Sequence, residues 1–403
     1  MKIAVLTNLY PPISRGGAEK VVQRIVAELL QRGHEVVVIS TMSFSGLSSL
    51  EPVIHEALGE KVYRFFPLNL YHVLNDHKHP YFLRAIWHAI DLFSSWPAKQ
   101  IEKILVLEKP DLVLTHNLKG LGLRSPLAIK NLRLPWVHTV HDVQLSVPSG
   151  LLMVGEKKNL LERFLRRPYE ILVQRVIGEP NLVLSPSKFL AGFYQQRGFF
   201  KNTEVRVLPN PVPDFPLSSR GIRSPGPLRL LFAGQLERHK GIFDLLEAVN
   251  LLEIPVELHV AGSGTYASLV QKQSAKDKRI IYHGFVSTNS LENLFSIIDA
   301  VVVPSRCLEN SPTIIYESLQ SGVPVIASDI GGLSELIQHG NNGYLIEPGN
   351  VQSLVKIIKS FTDEVVVFHQ RYQAIQASVA AYSLKSYVDH LEVLMTNLVK
   401  EKK

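Results

Sequence analysis

Lys2-Ile-Ala-Val-Leu-Thr7, Gly16-Gly17-Ala18-Glu19, a run to Gln31, then Gly33 and Glu35-Val-Val-Val-Ile-Ser40: this opening stretch decides the fold. Its two short runs are continuously apolar and β-branched. Continuous rather than alternating hydrophobicity describes strands covered on both faces, which is the habit of parallel sheets. Between the runs, Val21, Val22, Ile25, Val26, Leu29 and Leu30 fall on one face of a helix, and Gly33 supplies its stop. Strand, glycine loop, helix, strand is a βαβ unit.

The same alternation continues along the chain. Further strands are expected at Asp111–His116, Trp136–His141 and Leu182–Ser185, then at Leu228–Gly234, Val256–Gly262, Ile280–Phe285, Ala300–Pro304, Pro324–Ser328 and Gly343–Ile346. A proline-rich stretch from Leu208 to Pro227 suits neither helix nor central strand and marks a linker near residues 205–227. At 403 residues the chain is too long for one ordinary domain. The expected class is α/β, with two Rossmann-like domains. Ligands of open α/β sheets bind beyond the carboxyl ends of strands, so two such edges are expected to face each other across a cleft.

Composition narrows the function. With 46% hydrophobic and 20% charged residues the chain reads as a well-packed soluble protein, and no segment reaches 18 apolar residues. The start resembles a buried strand more than a signal peptide. Cys307 is the single cysteine, so no internal disulfide or cysteine-based metal site can form, and a reducing cytoplasm is expected. Through Asn210 there are 26 Lys and Arg against 17 Asp and Glu; beyond it, 17 against 19. All net positive charge therefore lies in the N-terminal half, as for a protein meeting an anionic surface or acceptor. Motifs that read bases are missing, which argues against nucleic acid. The histidines from His72 to His79 lack ligand spacing tied to carboxylates, and no Asp-x-Asp occurs.

Glu309-Asn-Ser-Pro-Thr-Ile-Ile-Tyr-Glu317 carries the most chemistry. Pro312 reads as the first helical residue and Ser311 as its N-cap. One carboxylate then precedes a positive helix end and a second lies one and a half turns inside it. A helix end holds phosphate and carboxylates hold sugar hydroxyls, which suggests a nucleotide-sugar site. The plain alternative is a pair of solvated charges around an ordinary helix start.

In order along the chain come Gly16-Gly17-Ala-Glu19, His138-Thr-Val-His141-Asp142, Ser185-Pro-Ser187, Leu208-Pro-Asn210, Phe232-Ala-Gly-Gln-Leu-Glu-Arg-His-Lys240-Gly241, Ala261-Gly-Ser-Gly264, His283-Gly-Phe, the Glu309–Glu317 segment, Gly331-Gly332-Leu-Ser-Glu335 and Asn342-Gly-Tyr-Leu. Taken together these resemble glycosyltransferase family 4, retaining enzymes of the GT-B fold. The resemblance implies an acceptor-binding domain over residues 1–205 and a donor-binding domain over 206–380. It also implies a C-terminal segment, 381–403, whose helix at about 383–400 packs back on the first domain. It gives Glu317 the donor ribose and Glu309 the transferred sugar, with Asn310, Ser311 and Thr313 cradling sugar and diphosphate. Lys240 would neutralise the leaving diphosphate. Where the family usually has an arginine, this chain has Gln235, and Arg238 is a candidate to compensate. Gly16 and Gly17 match the family's glycine loop, and His141 would contact the donor sugar. His138 is expected to be structural, while Asp142 either orients His141 or begins the next loop. No cofactor and no metal are implied.

Two regions pose the question of a membrane. Residues 61–104 carry Phe65, Phe66, Leu70, Tyr71, Tyr81, Phe82, Trp87, Phe93 and Trp96; residues 151–176 combine Leu151, Leu152, Met153, Leu160, Leu161, Phe164 and Leu165 with Lys157, Lys158, Arg163, Arg166 and Arg167. Such a pattern lies on an anionic bilayer or packs on its own core with a solvated basic face. Peripheral attachment at the inner face of the membrane is the expectation. The expected activity is transfer of a sugar from a nucleoside-diphosphate sugar to a carbohydrate or glycolipid acceptor, in polysaccharide, lipopolysaccharide or glycolipid synthesis. A sugar-nucleotide 2-epimerase and a non-catalytic nucleotide-sugar-binding accessory protein are the alternatives.

Overall fold

A computed structural model describes residues 1–14, 16–57, 59–155, 160–212 and 223–402; for Ala57 and for the helical residues 160–165 it describes the backbone only. Lys157, Lys158, the side chains of Leu160, Leu161, Arg163, Phe164 and Leu165, and positions 213–222 of the expected linker lie outside the described residues. The chain divides into two compact units.

Unit 1 comprises Met1–Leu151, Lys157–Pro211 and Leu384–Lys403. Its strands are β1 (Lys2–Leu6), β2 (Glu35–Thr41), β3 (Val53–Ala57), β4 (Glu60–Phe65), β5 (Leu112–Thr115), β6 (Trp136–Thr139), β7 (Leu182–Ser185) and β8 (Glu204–Val207). They form one sheet in the order β3-β4-β2-β1-β5-β6-β7-β8. Every neighbouring pair is parallel except β3 with β4. The order runs outward from β1 in both directions, so the crevice between the ends of β1 and β5 is the switch point. The central strands are buried on both faces, as their unbroken apolar runs require.

Part of the core of unit 1 comes from the far end of the chain. Leu384, Tyr387, Val388, Leu391, Leu394 and Met395, on the helix Leu384–Lys402, pack with Val21, Val22, Ile25, Val26 and Leu29 on the helix Gly17–Gln31. Arg32 reinforces the contact, donating to Asp389 at 2.6 Å and Glu392 at 2.9 Å. Much of the aromatic series between 61 and 104 is also core: Phe65, Phe66, Tyr71 and Trp87 are buried, and the Trp87 indole N–H donates to the Tyr71 carbonyl at 2.8 Å.

Unit 2 comprises Leu152–Glu156 and Val212–Ser383. Its strands are β9 (Leu228–Ala233), β10 (Val256–Ala261), β11 (Ile280–Gly284), β12 (Ala300–Val303), β13 (Val325–Ser328) and β14 (Gly343–Ile346). The order is β11-β10-β9-β12-β13-β14, parallel throughout, with the switch point between β9 and β12. Residues 152–154 belong to this unit although they fall within the first half of the sequence. Val154 N–H donates to the Arg306 carbonyl and Leu308 N–H to the Leu152 carbonyl, both at 2.8 Å. These bonds add a short antiparallel pairing to the loop after β12.

Candidate functional site

The loops leaving β9 and β12 meet at the switch point of unit 2, and backbone contacts fix them. Arg306 N–H donates to the His239 carbonyl at 2.9 Å. Gly241, at φ +75°, lies so close to Pro304 that a Cβ there would be 1.8 Å from the Pro304 carbonyl oxygen. This approach carries Lys240 across to Glu309, and the Nζ–Oε1 distance is 2.5 Å. Glu309 is held from the other side as well. Its carbonyl accepts from Gly332 N–H at 2.7 Å, and a Cβ on Gly331 would be 2.2 Å from that same oxygen. Gly331, at φ +62°, is therefore required by the close approach of two backbones.

Ser305 Oγ donates to Glu309 Oε1 at 3.0 Å. Burial opposes charge on Glu309, but the Lys240 ammonium and the Ser305 hydroxyl outweigh it and hold its pKa below the usual carboxylate range. Burial likewise opposes charge on Lys240, and the facing carboxylate raises its pKa all the same. The two shifts agree in describing an ionised pair. Cys307 beside them is pushed up to about 12, mainly by burial and then by Glu309, so it stays a thiol.

One expectation for this segment is corrected. The helix runs from Thr313 to Gln320, and Pro312, with φ −71° and ψ 128°, is its extended cap rather than its first turn. Ser311 is therefore not the N-cap; its hydroxyl pairs with the Tyr316 hydroxyl at 2.7 Å. The helix end still follows Glu309, with Thr313 at its start, Asn310 buried before it and Glu317 buried within it. Gln235 lies two residues beyond β9. Arg238 is exposed and lines a recess of about 400 Å³ with Phe243, Asp244, Glu247, Tyr266 and Arg306.

Unit 1 gathers its own polar groups at the ends of β1, β5 and β6. Asn8 N–H donates to the Asn117 carbonyl at 2.9 Å, and Asn8 Nδ2 to the Lys119 carbonyl at 2.8 Å. Gly16 caps the helix Gly17–Gln31 in an extended conformation, its N–H donating to Glu19 at 2.9 Å. A Cβ on Gly16 would meet nothing closer than 3.6 Å, so the fold itself leaves room for a side chain there. Strand β6 stops at Thr139, so His141 lies in the loop beyond it, with Nε2 2.9 Å from His116 Nδ1. Burial lowers the His141 pKa to about 4.

His138 is buried and bonded to Thr115 Oγ1 at 2.8 Å, a structural role. The Asp142 carboxylate accepts from Gln144, backbone and side chain, within the loop that follows β6. Burial above all raises the Asp142 pKa, to about 6. His116, Ser305 and the glycine contacts were not singled out from the sequence. His116 had the signal that marked His141, a polar residue just past an apolar strand.

Among the described residues no group of three or more His, Cys, Asp or Glu is placed to hold a metal ion. No described helix is long and apolar enough to cross a membrane.

Comparison with known proteins places this geometry in a family. Residues 15–214 match Glycosyltransferase Family 4, and residues 218–376 match Glycosyl transferases group 1. An uncharacterized glycosyltransferase of Methanocaldococcus jannaschii is 28% identical over 381 residues, covering 88% of this chain and 87% of that protein. Sucrose-phosphate synthase from Thermosynechococcus elongatus superposes with a TM-score of 0.75 at 17% identity, over 99% of both chains. Anabaena HepE, solved with UDP and glucose, superposes with a TM-score of 0.68 at 20% identity, over 98% of this chain and 99% of that one. Two parallel-sheet units with this fold, and family matches that between them span nearly the whole length, make the chain a GT-B glycosyltransferase of family 4.

Proposed function

We propose that this enzyme is a retaining, metal-independent glycosyltransferase that moves a sugar from a nucleoside-diphosphate sugar to an acceptor hydroxyl. The observation that carries the reading is the Lys240–Glu309 ion pair at the switch point of unit 2, beside the start of the helix Thr313–Gln320. As the bond from the anomeric carbon to phosphate breaks, negative charge grows on the diphosphate. Lys240 and the helix N-terminus supply positive charge for it, the task a divalent cation performs elsewhere. Glu309 accepts from hydroxyls of the transferred sugar, and Glu317 from the ribose. Gln235 contributes a hydrogen bond without charge. Asn310, Ser311 and Thr313 line the phosphate and sugar. Unit 1 contributes the acceptor surface, Gly16, Gly17 and His141. With no protein nucleophile assigned, the acceptor attacks the face the diphosphate leaves, and its proton passes to the departing phosphate. UDP with glucose, held by the Anabaena protein, is the kind of ligand we propose for this site. Polysaccharide, lipopolysaccharide or glycolipid synthesis on the cytoplasmic side is the setting we propose.

The test is acceptor-dependent release of nucleoside diphosphate, assayed across UDP-, GDP- and ADP-sugars with and without chelator. Glu309→Gln and Lys240→Ala should each lower turnover at least about a hundredfold while the melting transition survives. Chelator should change nothing. Normal turnover in both variants would refute the assigned roles, and conversion of donor without acceptor would favour the epimerase.

We also propose that unit 1 rests on an anionic bilayer through the helix Tyr81–Phe93. Tyr81, Phe82, Ile86 and Phe93 stand exposed along it, from 48% to 87%, on the half of the chain that carries the positive charge. Arg166 and Arg167, by contrast, face Glu170. The protein should sediment with phosphatidylglycerol vesicles but not with phosphatidylcholine vesicles, and Phe82→Ser with Phe93→Ser should abolish it. Equal binding to both lipids would count against the proposal.

A further inference from the structure

The mechanism above gives no task to a second imidazole that lies against His141. His116 follows β5, its backbone N–H donating to the Leu6 carbonyl at 2.9 Å, and its side chain is buried. The ring meets His141 at one end, Nδ1 to Nε2, 2.9 Å apart. At the other end, Nε2 is buried with no hydrogen-bond partner. Burial, then the neighbouring His141 and His138, push the His116 pKa well below its ordinary value, so the pair shares its protons as two neutral rings.

A neutral imidazole carries one N–H and one bare nitrogen, and of two facing nitrogens one must donate. If His141 Nε2 donated, His116 would have to carry its own proton on the buried, unpartnered Nε2. If His116 Nδ1 donates, that orphan position holds only a lone pair. Buried N–H groups without a partner are the rarer case, and leaving one unmade costs its full desolvation. We infer that His116 is a positioning residue that fixes the tautomer of His141: His116 Nδ1–H donates to His141 Nε2, and His141 carries its proton on Nδ1. Nε2 of His141 is then closed as a base toward substrate. Whatever His141 does for a hydroxyl, it does as a donor from Nδ1–H. That consequence rests on the reading of His141 as part of the reaction, and it leaves the departing phosphate as the acceptor's base.

The tautomer can be read without turnover. The full chain, labelled with ¹⁵N-histidine, is recorded by long-range ¹H–¹⁵N correlation near neutral pH, and the His141 ring is assigned by its loss in His141→Gln. A protonated Nδ1 and a bare Nε2 on His141 are expected; the opposite pattern overturns the inference. In the transfer assay, His116→Leu should lower kcat at least about tenfold with little change in donor KM, because an unfixed ring spends time in the wrong tautomer. His116→Asn, whose amide can donate from nearly the same place, should recover most of that loss. Unchanged kcat in His116→Leu would overturn the positioning role. Should His141→Gln also turn over normally, the role of His141 itself falls, while the spectrum still judges the tautomer. If His116→Leu fails to fold, the wild-type spectrum decides alone.

Discussion

Gly241 shows how one missing side chain can set the geometry of a site. Its φ of +75° already favours glycine, and the Pro304 carbonyl fills the space a Cβ would take. Gly284 is the natural contrast, with φ +68° but nothing within 4 Å of its Cβ position. Gly284→Ala should therefore cost only the left-handed backbone penalty, about 1 kcal/mol. Gly241→Ala should cost about 3 kcal/mol, adding overpacking to that penalty. It should also weaken turnover, since the displaced loop carries Lys240 away from Glu309. Denaturant unfolding of the two variants checks this, and equal costs would show that the Pro304 contact is easily relieved.

Between elements, buried carboxylates do the joining. Glu108, at the end of the helix Trp96–Glu108, accepts from Lys2 of β1 at 2.8 Å and from Lys61 and Tyr63 of β4. Burial opposes its charge, but these donors outweigh it and lower its pKa from 4.5 to about 2. A carboxylate depressed in the folded state stabilises above its unfolded pKa and loses that contribution as pH falls through the folded one. Stability should thus decline from about pH 4.5 towards about pH 2, with Glu108 supplying about 2 kcal/mol of it. Glu108→Gln should flatten this part of the melting-temperature profile. An unaltered acid limb would mean that other carboxylates control it.

At the scale of the whole molecule, the chain closes on itself by returning its last helix to unit 1. Truncation before Leu384 uncovers the apolar face of the helix Gly17–Gln31 and should cost at least about 5 kcal/mol, seen as a lowered melting temperature or loss of soluble protein. A truncated chain melting as the full one does would show the helix to be dispensable. The amino-acid sequence alone determined the parallel α/β architecture and the place of its central strands. Unbroken apolar runs and a 3.6-residue period are local properties, legible wherever a strand is covered on both faces. It left out β3 and β8, which stand at opposite edges of the sheet, and β4 beside β3, whose charged residues look like surface. It named Lys240 and Glu309 but not the bond between them, which joins positions 69 residues apart. It assigned Ser311 to the helix cap, whereas packing turned that hydroxyl to Tyr316, and it could not tell the aromatics that fill the core, Trp87 among them, from those left exposed on the helix Tyr81–Phe93. Such choices belong to the tertiary structure, because the partner a side chain meets is set by where other segments bring their backbones, and no local composition records that.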